Sequence, residues 1–165
     1  MTKAICWLGI IAAGLLAAPA LSFAAVGETE AQLIKRFGQP VKTVADKKKV
    51  APGDKELRFK TKECEVAVVL LKNRSEAEWY FFDTKIAGPE DKRIKSILKD
   101  HERTRGKCEW TFFDEEQAKM LRRQNFKWMW ICIPETSDDG VNFAVRHDKP
   151  DAFEIKSNAF IKLLQ

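Results

Sequence analysis

Signatures of catalysis are missing from this sequence. It contains no G-x-S-x-G, no H-E-x-x-H, no phosphate-cradling G-x-x-x-x-G-K-[ST] and no C-x-x-C. Histidine is scarce: His101 and His147 are the two side chains that titrate near neutrality. Four cysteines in 165 residues are too few to replace a core with a disulfide framework. Their scattered spacing does not fit a zinc site. Nor does one sign of charge dominate. Lys and Arg number 29 against 24 Asp and Glu, a net +5 well short of the density of a dedicated nucleic-acid binder. No metal, cofactor or nucleic-acid partner is expected, and no enzymatic activity.

What is present is a core-forming composition. Apolar residues make up 45% and charged residues 32%, which excludes disorder and collagen-like sequence. The length suits one domain or two small repeats and is too short for a multidomain enzyme.

The N-terminus reads as an export signal. Lys3 gives a positive n-region, Ile5 to Ala18 run apolar, and Ser22 and Ala24 supply the small −3 and −1 side chains for cleavage after about Ala24. The rival reading is an uncleaved anchor. Against it, Gly9, Gly14 and Pro19 interrupt the stretch, which is marginal for roughly 30 Å of hydrocarbon. The mature chain, starting near Ala25, is expected in the periplasm or medium, where disulfides form.

Residues 25–87 and 88–165 repeat one order of elements, helix then antiparallel meander. Thr29-Glu30-Ala31-Gln32 is a capping box, followed by Leu33, Ile34 and Phe37 at helical spacing and by Gly38 and Pro40 as a stop. The second helix is predicted from Pro89, with Ile94, Ile97, Leu98 and His101 on its apolar side. Strands are predicted at 57–61, 64–71 and 75–82, with a turn at Asn73-Arg74, and then at 108–113, 126–133, 141–145 and 153–155. A last short helix is capped by Ser157. Short helices too small to stand alone must rest on the sheet, and they are expected on one of its faces.

The run Gly27-Glu28-Thr29-Glu30-Ala31-Gln32-Leu33 followed by Phe37-Gly38-Gln39-Pro40 resembles the helix opening of the SmpA/OmlA family of small envelope lipoproteins. Two helix-plus-meander units in an exported chain are also similar to the β-lactamase inhibitory protein type. That resemblance implies an α+β fold of two tandem units. It further implies a role in docking: to another envelope protein, or on an enzyme clamped by an aromatic-lined sheet. The chain departs from the first family in lacking a cysteine placed for lipidation, and from the second in having three cysteines after the leader.

Three features are candidates for that role. If strand 108–113 pairs with 126–133 so that Cys108 faces Cys132, then Trp110 faces Trp130 and Phe112 faces Trp128, one aromatic row on one face. The row is either core beneath the second helix or a partner-binding surface; Met129, Ile131 and Ile133 make the opposite face apolar too. The same register predicts a Cys108–Cys132 disulfide with Cys64 single and buried, the competing pairing being Cys64 with Cys108 or Cys132. Finally, residues 42–62 hold eight Lys or Arg against three acids. Lys47-Lys48-Lys49 there read either as a solvated loop or as a steering patch for an acidic partner or an anionic membrane surface. The function expected is therefore non-enzymatic protein binding outside the cytosol. The alternatives are an envelope-assembly or membrane-surface factor, or a small secreted hydrolase, which would need His101 or His147 beside a carboxylate or thiol in a pocket.

Overall fold

The computed structural model describes residues 26–45, 53–104, 109–120, 126, 128–133, 142–147 and 151–164. The first helix, α1 (Glu30–Phe37), forms because its end is sealed locally. The Thr29 hydroxyl accepts from the Gln32 N–H, and the Gln32 side chain accepts from the Thr29 N–H at 2.8 Å. Gly38 ends it at φ +82°, a conformation glycine adopts without strain. After it come β1 (Lys42–Val44), β2 (Lys55–Lys60), β3 (Cys64–Leu71) and β4 (Arg74–Phe82). The tight turn joining β3 and β4 lies at Lys72-Asn73, one residue earlier than predicted. Both residues have positive φ (51° and 61°), which matches the twist of an antiparallel hairpin.

The second helix, α2 (Lys92–Thr104), starts three residues after Pro89. Asp91 rather than the proline sets that start: its carboxylate accepts from the Arg93 N–H at 3.0 Å and its carbonyl from the Lys95 N–H at 3.0 Å. Then follow β5 (Trp110–Phe113), α3 (Glu115–Met120), β6 (Trp128–Cys132), β7 (Asn142–His147), β8 (Ala152–Lys156) and α4 (Asn158–Leu163). The Ser157 hydroxyl caps α4 by accepting from the Phe160 N–H at 3.0 Å.

The fold is α+β. All eight strands join one antiparallel sheet in the order β1-β2-β3-β4-β8-β7-β6-β5. The last strand thus pairs with the fourth, and the main core runs across that seam. It takes Leu57, Phe59, Val66 and Tyr80 from one side and Trp130, Phe153 and Ile155 from the other.

Two expectations are corrected here. The helices do not share a face: α1 and α2 cover the main core through Leu33, Ile94 and Ile97, while Phe160 of α4 and Ala118 of α3 pack on the opposite face against separate clusters. Covering on both sides is the reason β6 is apolar on both sides. The β5–β6 register is also displaced by two residues. Trp110 lies opposite Cys132 and Phe112 opposite Trp130. A two-residue displacement conserves parity, so Trp110, Phe112, Trp128 and Trp130 still point to one face.

Candidate functional site

The aromatic row lies on the face beneath α2. Trp130 is 5% exposed and meets Phe153 edge-on at 5.5 Å. Trp110 is half-buried and donates its indole N–H to the Leu98 carbonyl of α2 at 3.0 Å. Trp128 is half-buried under the Arg146 guanidinium, 4.9 Å from its ring centre. Trp130, the centre of the expected docking surface, is core. Phe112 differs: it is 39% exposed, on the edge strand β5, and leans on Trp130 at 5.3 Å.

Both histidines stand beside buried glutamates. His101 is buried, its Nδ1 accepting from the Val26 N–H at 3.2 Å and its Nε2 3.3 Å from Glu78 Oε2. The Tyr80 hydroxyl donates to the same glutamate oxygen at 2.7 Å. Burial first, then the neighbouring carboxylate, push the Tyr80 phenol well above its ordinary range. This cluster ties β4, α2 and the chain entering α1 together and leaves His101 6% exposed on the apolar side of α2.

His147 sits differently, at the margin of a concavity on the far face. Its Nε2 lies 2.6 Å from Glu154 Oε2, and the Phe126 ring meets it edge-on at 5.6 Å. The glutamate orients the imidazole, so His147 stands beside a carboxylate, one of the pairings the hydrolase alternative requires. Lys156 Nζ lies 2.6 Å from the other oxygen, Glu154 Oε1. The Glu154 side chain is 2% exposed, whereas Lys156 and His147 are 24% and 31% exposed.

The concavity follows from helix length. Eight strands span about 34 Å at about 4.8 Å each, and a six-residue helix is only about 9 Å long. Over this face α4 packs on Val69, Ala77 and Trp79, and α3 on Met129 and Val145. Beside α4 a trough of about 210 Å³ is left, floored by Met129, Phe143 and Val145 and flanked by Phe126, Ile161 and Leu164. Glu154 and Lys156 complete its lining. Sequence reasoning missed it. The available signal was the alternation Phe143, Val145, His147 and Glu154, Lys156, which places all five on one sheet face.

Cys64 is a free, buried thiol, as expected, and burial pushes its pKa up. Cys132 is buried, and Trp110 rather than Cys108 lies opposite it in the sheet, so the facing pair on which the Cys108–Cys132 expectation rested is not the observed register. Cys108 lies outside the described residues, as do Lys47, Lys48 and Lys49 and the predicted leader. Other members of the basic stretch are paired: Lys55 with Glu30, Arg58 with Glu56 and Glu65, and Lys60 with Asp83. Among the described residues no group of three or more His, Cys, Asp or Glu is placed to hold a metal ion, and no helix is long and apolar enough to cross a membrane. No family model, curated protein or solved structure matches the chain.

Proposed function

We propose that this chain is an exported, non-enzymatic protein-binding module built from two tandem helix-plus-meander units. Its leader is removed after about Ala24, and it acts in the periplasm or the medium. The order of elements supports the tandem reading: α1 and four strands, then α2 and four more strands with α3 inserted between β5 and β6, the two sets meeting at β4 and β8. Export is supported by the leader pattern, and in that compartment the buried Cys132 is expected to be disulfide-bonded. Its partner on this reading is Cys108, the cysteine nearest β5.

One observation carries the binding role. β5 is an edge strand four residues long that presents exposed Thr111 and Phe112, and Met120 and Ile133, at the ends of α3 and β6, are exposed apolar side chains as well. An edge strand offers unpaired N–H and C=O groups to an extended segment of another protein, and an adjacent aromatic supplies the apolar anchor. Phe112 is that anchor; the basic 42–62 segment runs through β1 and β2 at the opposite edge of the sheet and does not adjoin it.

The test is affinity capture from a periplasmic extract on the mature chain, run beside Phe112→Asp, which places a charge on the edge. The reading expects a protein retained by the unsubstituted chain and lost with Phe112→Asp, while far-UV circular dichroism stays the same. Retention unchanged by Phe112→Asp overturns it. So does a mass showing residues 1–24 still attached to protein kept inside the cytosol.

A further inference from the structure

We propose that the trough beside α4 binds a small monocarboxylate whose apolar body is about one ring or a short alkyl chain. The size comes from volume. An apolar cavity of about 150 Å³ holds a benzene, and the trough measures about 210 Å³. Its floor and flanks are apolar, so the body of the ligand is hydrocarbon.

The head group follows from how the charges are layered. Glu154 is sealed beneath, between His147 and Lys156, each 2.6 Å from one of its oxygens. The partly exposed groups are the two basic ones. Lys156 keeps its ammonium near the Trp79 ring, 5.8 Å from its centre; Glu154 Oε1 lies 2.6 Å away as an ion pair without accepting a hydrogen bond, and an ammonium has three donors. A ligand carboxylate takes one of them in a charge-assisted bond, roughly twice as strong as the neutral bond an alcohol makes. An ammonium ligand meets Lys156 as a like charge, with the one carboxylate in the lining already shared. Electrostatics thus selects anion over alcohol over cation on the same hydrocarbon.

Octanoate, octanol and octylamine share a body and differ in head, so they are the probes. Binding is followed by isothermal titration and by amide shifts in two-dimensional NMR of the purified protein. Octanoate is expected to saturate with shifts confined to β7, β8 and α4, at least tenfold tighter than octanol, with no saturable octylamine binding. Lys156→Met should reduce octanoate to the octanol level and leave octanol alone. Should that variant fail to fold, Leu164→Glu decides: at a rim position 54% exposed, it should weaken octanoate at least tenfold with an unchanged circular dichroism spectrum. The proposal is overturned if none of the three probes saturates, or if octanol or octylamine binds as tightly as octanoate. Indifference of octanoate to the charge substitutions overturns it equally. The edge-strand reading is independent of all these outcomes.

Discussion

Replacing Trp130 by alanine separates a core aromatic from a docking one. Trp130 is 5% exposed and packs against the rings of Phe153 and Phe112 at 5.5 and 5.3 Å. Truncating a buried Trp or Phe costs about 3–5 kcal/mol, part from lost transfer free energy and part from the cavity left behind. A folded domain has only about 5–15 kcal/mol in total. Phe112 is the internal control: it is on the same sheet face but 39% exposed, and its truncation should cost only about 1–2 kcal/mol. With a urea dependence of about 2 kcal/mol per molar, Trp130→Ala should lower the unfolding midpoint by about 2 M and Phe112→Ala by less than about 1 M. Equilibrium urea unfolding followed by far-UV circular dichroism measures both. Equal shifts for the two variants, or a midpoint for Trp130→Ala within about 0.3 M of the unsubstituted protein, would refute the core placement. That result would also return Trp130 to the docking surface.

Two further outcomes are expected. The Arg93 guanidinium, with the Ala87 and Arg93 amides, holds the Asp91 carboxyl at about 2. A depressed carboxylate contributes stability that is fully present above its unfolded value of about 3.9 and is lost as pH falls through 2. Asp91→Asn should therefore cost about 1 kcal/mol at neutral pH, after discounting for solvent screening, and the gap should close toward pH 2. A gap constant across that window in pH-dependent urea unfolding rejects the assignment. Thiol labelling addresses the cysteines. Because its thiol is buried and its pKa raised, Cys64 should resist a thiol reagent at pH 8 in the native protein. Denaturation without reductant should then release one reactive thiol per mature chain, and denaturation with reductant three; three without reductant exclude the Cys108–Cys132 bond.

How much of this was legible from residues alone depended on the range of the interaction. The Thr29–Gln32 box, the Ser157 cap, β3 and the parity of the aromatic row are set by neighbours a few positions apart, and their signals lie in the chain itself. The Pro89 expectation failed locally as well, because Asp91 competed for the helix end with a side chain and a carbonyl in place. The three-residue β1 carries too little pattern to be seen.

Periodicity states that both sides of β6 are apolar, but not what covers them. That was decided when β8 paired with β4 and brought the two meanders into one sheet, with α1 and α2 on one side and α3 and α4 on the other. The same long-range pairing buried Trp130, left Phe112 at an edge and opened the trough beside Glu154 and Lys156. Period-two alternation is a property of one strand and is written in its residues. The identity of a strand's neighbour and the area a short helix leaves uncovered are properties of the assembled sheet, and they exist only once the chain has closed on itself.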